Sequence, residues 1–174
     1  MINNKLKPIK TNYNGYRFRS RLEARWAIYF DIIKAKWEYE IEGFNLDKYG
    51  YYLPDFYFPK ENLWAEVKPI QLNDIELQKV KELSLESEMD VLLLVGVPEV
   101  KSYDAVSNGE IRWVGYILSY NHMHGGFYDC YLGCPDYHLD PKHYNNFWPE
   151  EFKDAYKAVD GAKSARFEYG EFGR

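Results

Sequence analysis

From Ser20 to Ala35 the apolar residues Leu22, Trp26, Tyr29, Phe30 and Ile33 return every three or four positions, the spacing that lines one face of an amphipathic helix. That face predicts a helix packed on a sheet. Beyond it, Trp37 to Ile41 reads as a strand, Asn45 to Gly50 as a turn, and Tyr51 to Phe58 as a β-rich run. Asn62 and its neighbours make a tight link into another strand, Leu63 to Lys68. Pro69 ends it, because proline has no N–H to give to a ladder. A second helix is expected from Asp74 to Ser87, since Asn73 can cap it, Glu76 stands three residues on, and Leu77, Val80 and Leu83 share a side. The run Val91 to Gly96, VLLLVG, has no polar alternation and so predicts a strand covered on both faces, as in a parallel pairing after a crossover helix. Further strands are expected over Ile111 to Leu118 and Gly126 to Leu132. A last helix should begin near Pro149 and turn Phe152, Ala155, Tyr156 and Val159 inward.

The order helix, strand, strand, strand, helix, strand makes an α/β sandwich with a mixed central sheet flanked by helices. With 174 residues and 46% hydrophobic content the chain suits one domain. We divide it into a mobile basic arm (1–12), a core (13–100) and a C-terminal β-rich and helical extension (101–174) packed on the same domain. No run approaches the roughly 18 apolar residues of a membrane span, and the start, MINNKLKPIKTNYNG, lacks the apolar stretch of a secretory signal. A soluble, cytoplasmic protein with no membrane partner is the expectation.

The net charge of −5 argues against nucleic acid until its distribution is considered. Residues 1 to 36 hold nine Lys or Arg against two acids, a local +7, which leaves −12 for the remaining 138 residues. Arg17, Arg19, Arg21 and Arg25 fall in the basic part and can meet a phosphate backbone, although taken alone they are better explained as a solvated, Arg-rich helix start. Most of the 32 aromatic residues are core. Tyr13 and Tyr16, beside Arg17 and Arg19, are the better candidates for touching bases.

The chemically informative segment is LPDF at 53 to 56 with WAEVK at 64 to 68, both on expected strands. Residues two apart on a strand point the same way, so Glu66 and Lys68 share a face while Ala65 and Val67 take the other. If the neighbouring strand brings Asp55 beside them, two carboxylates converge, and a hard divalent cation such as magnesium relieves their repulsion. Such an ion polarises a phosphate and acidifies a water. Lys68 can then orient the attacking oxygen or stabilise charge on the transition state. Each motif alone has a plainer meaning: PD is common where a turn enters a strand, and ExK is often a solvated edge.

The pattern Pro54-Asp55, then Glu66-x-Lys68, after a helix bearing Glu23, resembles the PD-(D/E)XK nuclease superfamily with its restriction-endonuclease-like fold. The segment GYRFRSRLEARWA, residues 15 to 27, is also similar to a group of phage and prophage proteins of that superfamily. The resemblance covers about residues 13 to 96 and, more weakly, AKSARFEYGE near the end. Members with a helix glutamate include Holliday-junction resolvases and transposon-end nucleases. The resemblance implies an α-β-β-β-α-β core and a magnesium- or manganese-dependent DNA endonuclease, in which Glu23, Asp55 and Glu66 hold the metal and Lys68 completes the catalytic set. It further implies action on branched or recombination DNA in a host cytoplasm, with DNA bound through Tyr16, Arg17, Arg19 and Arg21; a homodimer is among the arrangements left open. Glu23 also has a purely structural reading, because Ser20-x-x-Glu23 is a capping-box pattern.

All four histidines and both cysteines lie between 122 and 143: His122, His124, Cys130, Cys134, His138 and His143. Such a cluster can supply a structural zinc site. Its spacing is irregular, however, with three residues between the cysteines rather than two, and surface side chains in a Tyr-rich loop fit it too. Three function classes therefore compete: a metal-dependent nuclease, a catalytically inactive DNA- or protein-binding module, and a zinc-braced interaction protein.

Overall fold

The structure, a computed structural model, describes residues 7–121, 126–130 and 153–167. The first described elements are a hairpin of β1 (Thr11–Tyr13) and β2 (Tyr16–Phe18), and Thr11, within the arm expected over 1–12, is buried. Helix α1 (Arg21–Ile32) starts where Ser20 caps it, its Oγ accepting from the Glu23 N–H at 3.2 Å. Its inward stripe is the expected one: Trp26, Tyr29 and Phe30 are buried, and Ile33 follows at the C-cap.

Among the described residues the main sheet has seven strands in the order β11-β10-β9-β8-β7-β6-β3. These are β3 (Glu38–Tyr39), β6 (Phe56–Phe58), β7 (Leu63–Lys68), β8 (Asp90–Val95), β9 (Ser102–Ser107), β10 (Glu110–Asn121) and β11 (Gly126–Cys130). Only β7 and β8 run parallel, joined by helix α2 (Asp74–Glu86), as the unbroken apolar run of β8 implies. The expected capping box of Asn73 and Glu76 starts α2. The two cores follow strand alternation. Leu63, Ala65, Val67, Leu92 and Leu94 face α1 and the C-terminal helix α3 (Lys153–Ser164), whereas Trp64, Val91 and Leu93 face Val80 and Leu83 of α2. The architecture is thus mixed α/β, a mixed central sheet flanked by helices. Among the described residues no helix is long and apolar enough to cross a membrane.

Three departures from the sequence reading have physical causes. The run Tyr51 to Phe58 breaks at Leu53–Asp55, because Pro54 cannot donate to a ladder. Its first part becomes β5 (Tyr51–Tyr52), paired with β4 (Phe44–Asn45) in a separate hairpin, and only β6 joins the main sheet. Strand β9 was not expected, since Ser102, Asp104 and Ser107 dilute its apolar signal; Tyr103 and Val106 nevertheless enter opposite cores. In α3 the inward residues are Ala155, Ala158 and Ala162, while Tyr156 is 40% exposed rather than buried. Small residues suit a close helix contact: a Cβ on Gly161 would come within 2.4 Å of Ile32 Cδ1. The start expected near Pro149, and Phe152, lie outside the described residues.

Arg25 fastens α3 to α1, donating to the Ala162 carbonyl and, at 2.8 Å, to the Lys163 carbonyl, with its guanidinium 5.4 Å from the Phe167 ring centroid. Its N–H groups cap carbonyls that a helix end leaves without partners. We expect Arg25→Ala to lower unfolding stability by about 1 kcal/mol, seen as a lower denaturant midpoint with an unchanged slope. An unchanged midpoint would contradict this anchoring role.

Candidate functional site

The register of β6 on β7 pairs Phe56 with Ala65, and continuing it by one residue sets Asp55 opposite Glu66. The eleven-residue spacing of the two acids is therefore the geometry of one antiparallel hairpin. Asp55 lies not within a strand, as expected, but in the bend just before β6. Its Oδ2 accepts from the Val67 N–H at 2.8 Å, so the carboxylate closes the end of the pairing in place of backbone. Lys68 and Glu66 share a face as two-residue periodicity requires, with Nζ 2.5 Å from Glu66 Oε1. Both acids are buried, while about a quarter of the Lys68 side chain is exposed.

These residues line one cavity of about 560 Å³ together with Pro8, Arg19, Glu23, Tyr51, Tyr52 and Leu53. Burial raises the Asp55 carboxyl well above the usual carboxylate range, and the Glu66 and Glu23 charges push the same way; the Val67 N–H and Arg19 only partly offset them. Burial also raises Glu66, against the pull of Lys68, Tyr52 and Arg19. For Lys68 burial alone would lower the ammonium, but Glu66, and behind it Asp55 and Glu76, raise it overall. At neutral pH Lys68 is a cation and hydrogen-bond donor, not a base.

Arg19 is placed differently from a phosphate-facing side chain. Its Nη2 donates to Asp55 Oδ1 at 2.6 Å and its Nε lies 2.5 Å from Glu40 Oε1, a close ion pair without hydrogen-bond alignment. Arg21 donates to the Phe167 carbonyl at 2.7 Å, and Tyr16 packs against Trp37 with ring centroids 5.0 Å apart. Arg17, exposed on β2, has no ion pair among the described residues. Of the four residues expected to bind DNA, Arg17 makes no ion pair among the described residues, Arg19 belongs to the carboxylate cluster, exposed Arg21 holds the Phe167 carbonyl, and Tyr16, also exposed, rests one side on Trp37.

Glu23 borders the cavity, but its oxygens are committed. Ser20 Oγ donates to Oε1 at 2.6 Å, and the Arg19 N–H and Tyr39 hydroxyl donate to Oε2 at 3.1 and 2.5 Å. Only half of the capping box foreseen for Ser20 and Glu23 forms: Ser20 Oγ accepts from the Glu23 N–H, but the Glu23 carboxylate takes the N–H of Arg19, one residue before the cap, and reaches through Tyr39 into the aromatic core. Sequence reasoning missed Glu40, Tyr39 and Tyr52. Nothing local marks Glu40 or Tyr39. Tyr52 stands three residues before Asp55, and that closeness was a usable signal.

The donor set fits a hard divalent cation at Asp55 and Glu66. Glu66 Oε2 is fully buried yet accepts no hydrogen bond, although the Tyr52 hydroxyl is near enough to favour its charge. A buried carboxylate oxygen without a partner is costly unless something cationic answers it. Glu23, Glu40, Asp55 and Glu66, with Glu76 behind them, outnumber the two cations Arg19 and Lys68. Among the described residues no three carboxylate, imidazole or thiolate groups are gathered for a metal. His122, His124, Cys134, His138 and His143 lie outside the described residues, as does the side chain of Cys130. No family model, curated protein or solved structure matches the chain.

The raised carboxyls fix the sign of a stability effect. Folded Asp55 and Glu66 bind protons more tightly than the unfolded chain, so their contribution favours folding at low pH. It is lost as pH rises from the ordinary carboxylate range, about 4, through their raised values. In chelator, Glu66→Gln should melt at or above the wild-type temperature, with the difference widening from pH 5 to pH 8. A variant that melts well below wild type at pH 8 would show that the Glu66 charge is not destabilising there.

Proposed function

We propose that the chain is a nuclease that hydrolyses DNA phosphodiester bonds with magnesium or manganese, on a restriction-endonuclease-like core. The observation that carries this reading is that buried Asp55, in the bend before β6 and bonded to the Val67 N–H, lines one cavity with buried Glu66 of β7, with the Lys68 ammonium on Glu66 and no aligned hydrogen bond to the second Glu66 oxygen. Asp55 and Glu66 would hold the ion, leaving most of its coordination to phosphate and water, the usual sparse protein shell for magnesium. When bound, the ion supplies Lewis-acid polarisation of the phosphate and acidity to a water.

The chain's own residues account for the rest. Lys68, held protonated by its carboxylate neighbours, donates to oxygen charge that grows as the phosphodiester is attacked. Arg19 can exchange Asp55 for phosphate without losing Glu40, which keeps its guanidinium at the cavity mouth. Glu23 fixes the Arg19 backbone and the start of α1, so it orders the wall of the site without serving as a ligand. DNA as the polymer, a branched or recombination substrate and a phage setting come from the family resemblance of residues 13 to 96.

Supercoiled plasmid should be nicked or linearised with magnesium or manganese and left intact in chelator. Lys68→Ala should keep DNA affinity and lose at least about a hundredfold in turnover, close to the effect of removing one preorganised transition-state donor. Cutting by nuclease-free protein in excess chelator would overturn the mechanism, and an equal loss of affinity in Lys68→Ala would overturn the role given to that lysine.

A further inference from the structure

The carboxylate cavity has one wall that phosphate chemistry does not explain. Tyr51 on β5 contributes to that wall and is 71% exposed. Its ring rests on bare backbone. A Cβ on Gly43 would fall 1.8 Å from Tyr51 Oη and 2.1 Å from Cζ, so only glycine lets the ring lie where it does. The next residue, Tyr52, is instead mostly buried, with its hydroxyl toward Glu66. Among the described residues Tyr51 has no aromatic partner, whereas Tyr16, Phe18, Trp37, Tyr39 and Phe56 stack among themselves.

We propose that Tyr51 is a stacking platform for an unpaired nucleobase beside the scissile phosphate; this rests on the nuclease reading above. Covering a glycine across a hairpin explains the inner contact of the ring. It does not explain the outer face, which stays open at the mouth of the cavity. A phosphate needs only the carboxylate end of that space, and its volume of about 560 Å³ falls in the range of small-molecule sites. The remainder is on the scale of a nucleotide. A base within continuous duplex already has neighbours on both faces, so a fixed ring can stack only on a base that has left the helix or never joined one. Stacking is indifferent to base identity and to charge, which suits a site whose acids outnumber its bases.

The test compares binding, by fluorescence anisotropy in calcium, to a continuous duplex and to the same duplex with a short oligothymidine flap. Wild type should prefer the flap. Tyr51→Ala should lose about tenfold in flap affinity, within the worth of one base–aromatic stack, with duplex affinity unchanged, while Tyr51→Phe keeps the preference. Gly43→Ala, which displaces the ring but leaves Tyr51 in the chain, should behave like Tyr51→Ala, and unchanged duplex affinity certifies that both variants are folded. Equal affinity of wild type for the two probes, or a flap preference that survives Tyr51→Ala, would overturn the platform. Plasmid cutting by wild type separates the two readings: a protein that cuts without preferring flaps overturns this inference alone, and one that neither binds nor cuts overturns both.

Discussion

Two carboxylates are held face to face out of water by the pairing of β6 with β7, and the neighbourhood of that pairing is organised around their repulsion. Each acid is kept by a contact the fold cannot easily give up. Asp55 replaces backbone as the acceptor for the Val67 N–H, so moving it would open the end of the ladder. Glu66 sits on a strand whose other residues, Trp64, Ala65 and Val67, are committed to the two cores, so a one-residue slip would carry Glu66 and Lys68 into the α1 side of the sheet. Register, core and acidic pair are thus one constraint.

The charges around the pair are graded rather than cancelled. Lys68 answers one oxygen of Glu66 and Arg19 one oxygen of Asp55, leaving Glu66 Oε2 unanswered in a buried position. A fold selected only for stability would place apolar residues there, since well-packed hydrocarbon is often at least as stable as a buried ion pair. Buried carboxyls whose titration is pushed this way concentrate at functional sites. Glu23 contributes repulsion to Asp55 while its own oxygens stay occupied by Ser20, Arg19 and Tyr39, so it raises the demand for a cation without supplying a ligand.

Much of this was legible along the chain because it depends on period. The helical stripe of Trp26, Tyr29 and Phe30, the capping box at Asn73 and Glu76, the doubly buried β8 and the shared face of Glu66 and Lys68 all follow from spacing alone. What could not be read depends on partners distant in sequence. The ion pairs of Arg19 were not readable, because Asp55 and Glu40, thirty-six and twenty-one residues on, carry no local mark of pairing with it. The bonds from Arg25 to the carbonyls of α3 were hidden in the same way. The turn at Pro54 also hid the separation of β5 from β6, and with it the way the β4–β5 hairpin brings Tyr51 and Tyr52 to the cavity. Glu23 stood between: its place at the start of α1 was readable from Ser20-x-x-Glu23, but its bonds to Tyr39 and the Arg19 N–H were not.

The central claim is that Asp55 and Glu66 together form a divalent-cation site, and manganese binding followed by electron paramagnetic resonance tests it most directly, with no dependence on substrate. The full chain should take up manganese in competition with magnesium, and Asp55→Asn with Glu66→Gln should abolish that uptake while the protein stays folded. Undiminished binding by the folded double variant, or no binding by wild type at millimolar manganese, roughly the weak end of biological divalent-cation affinities, would contradict the account.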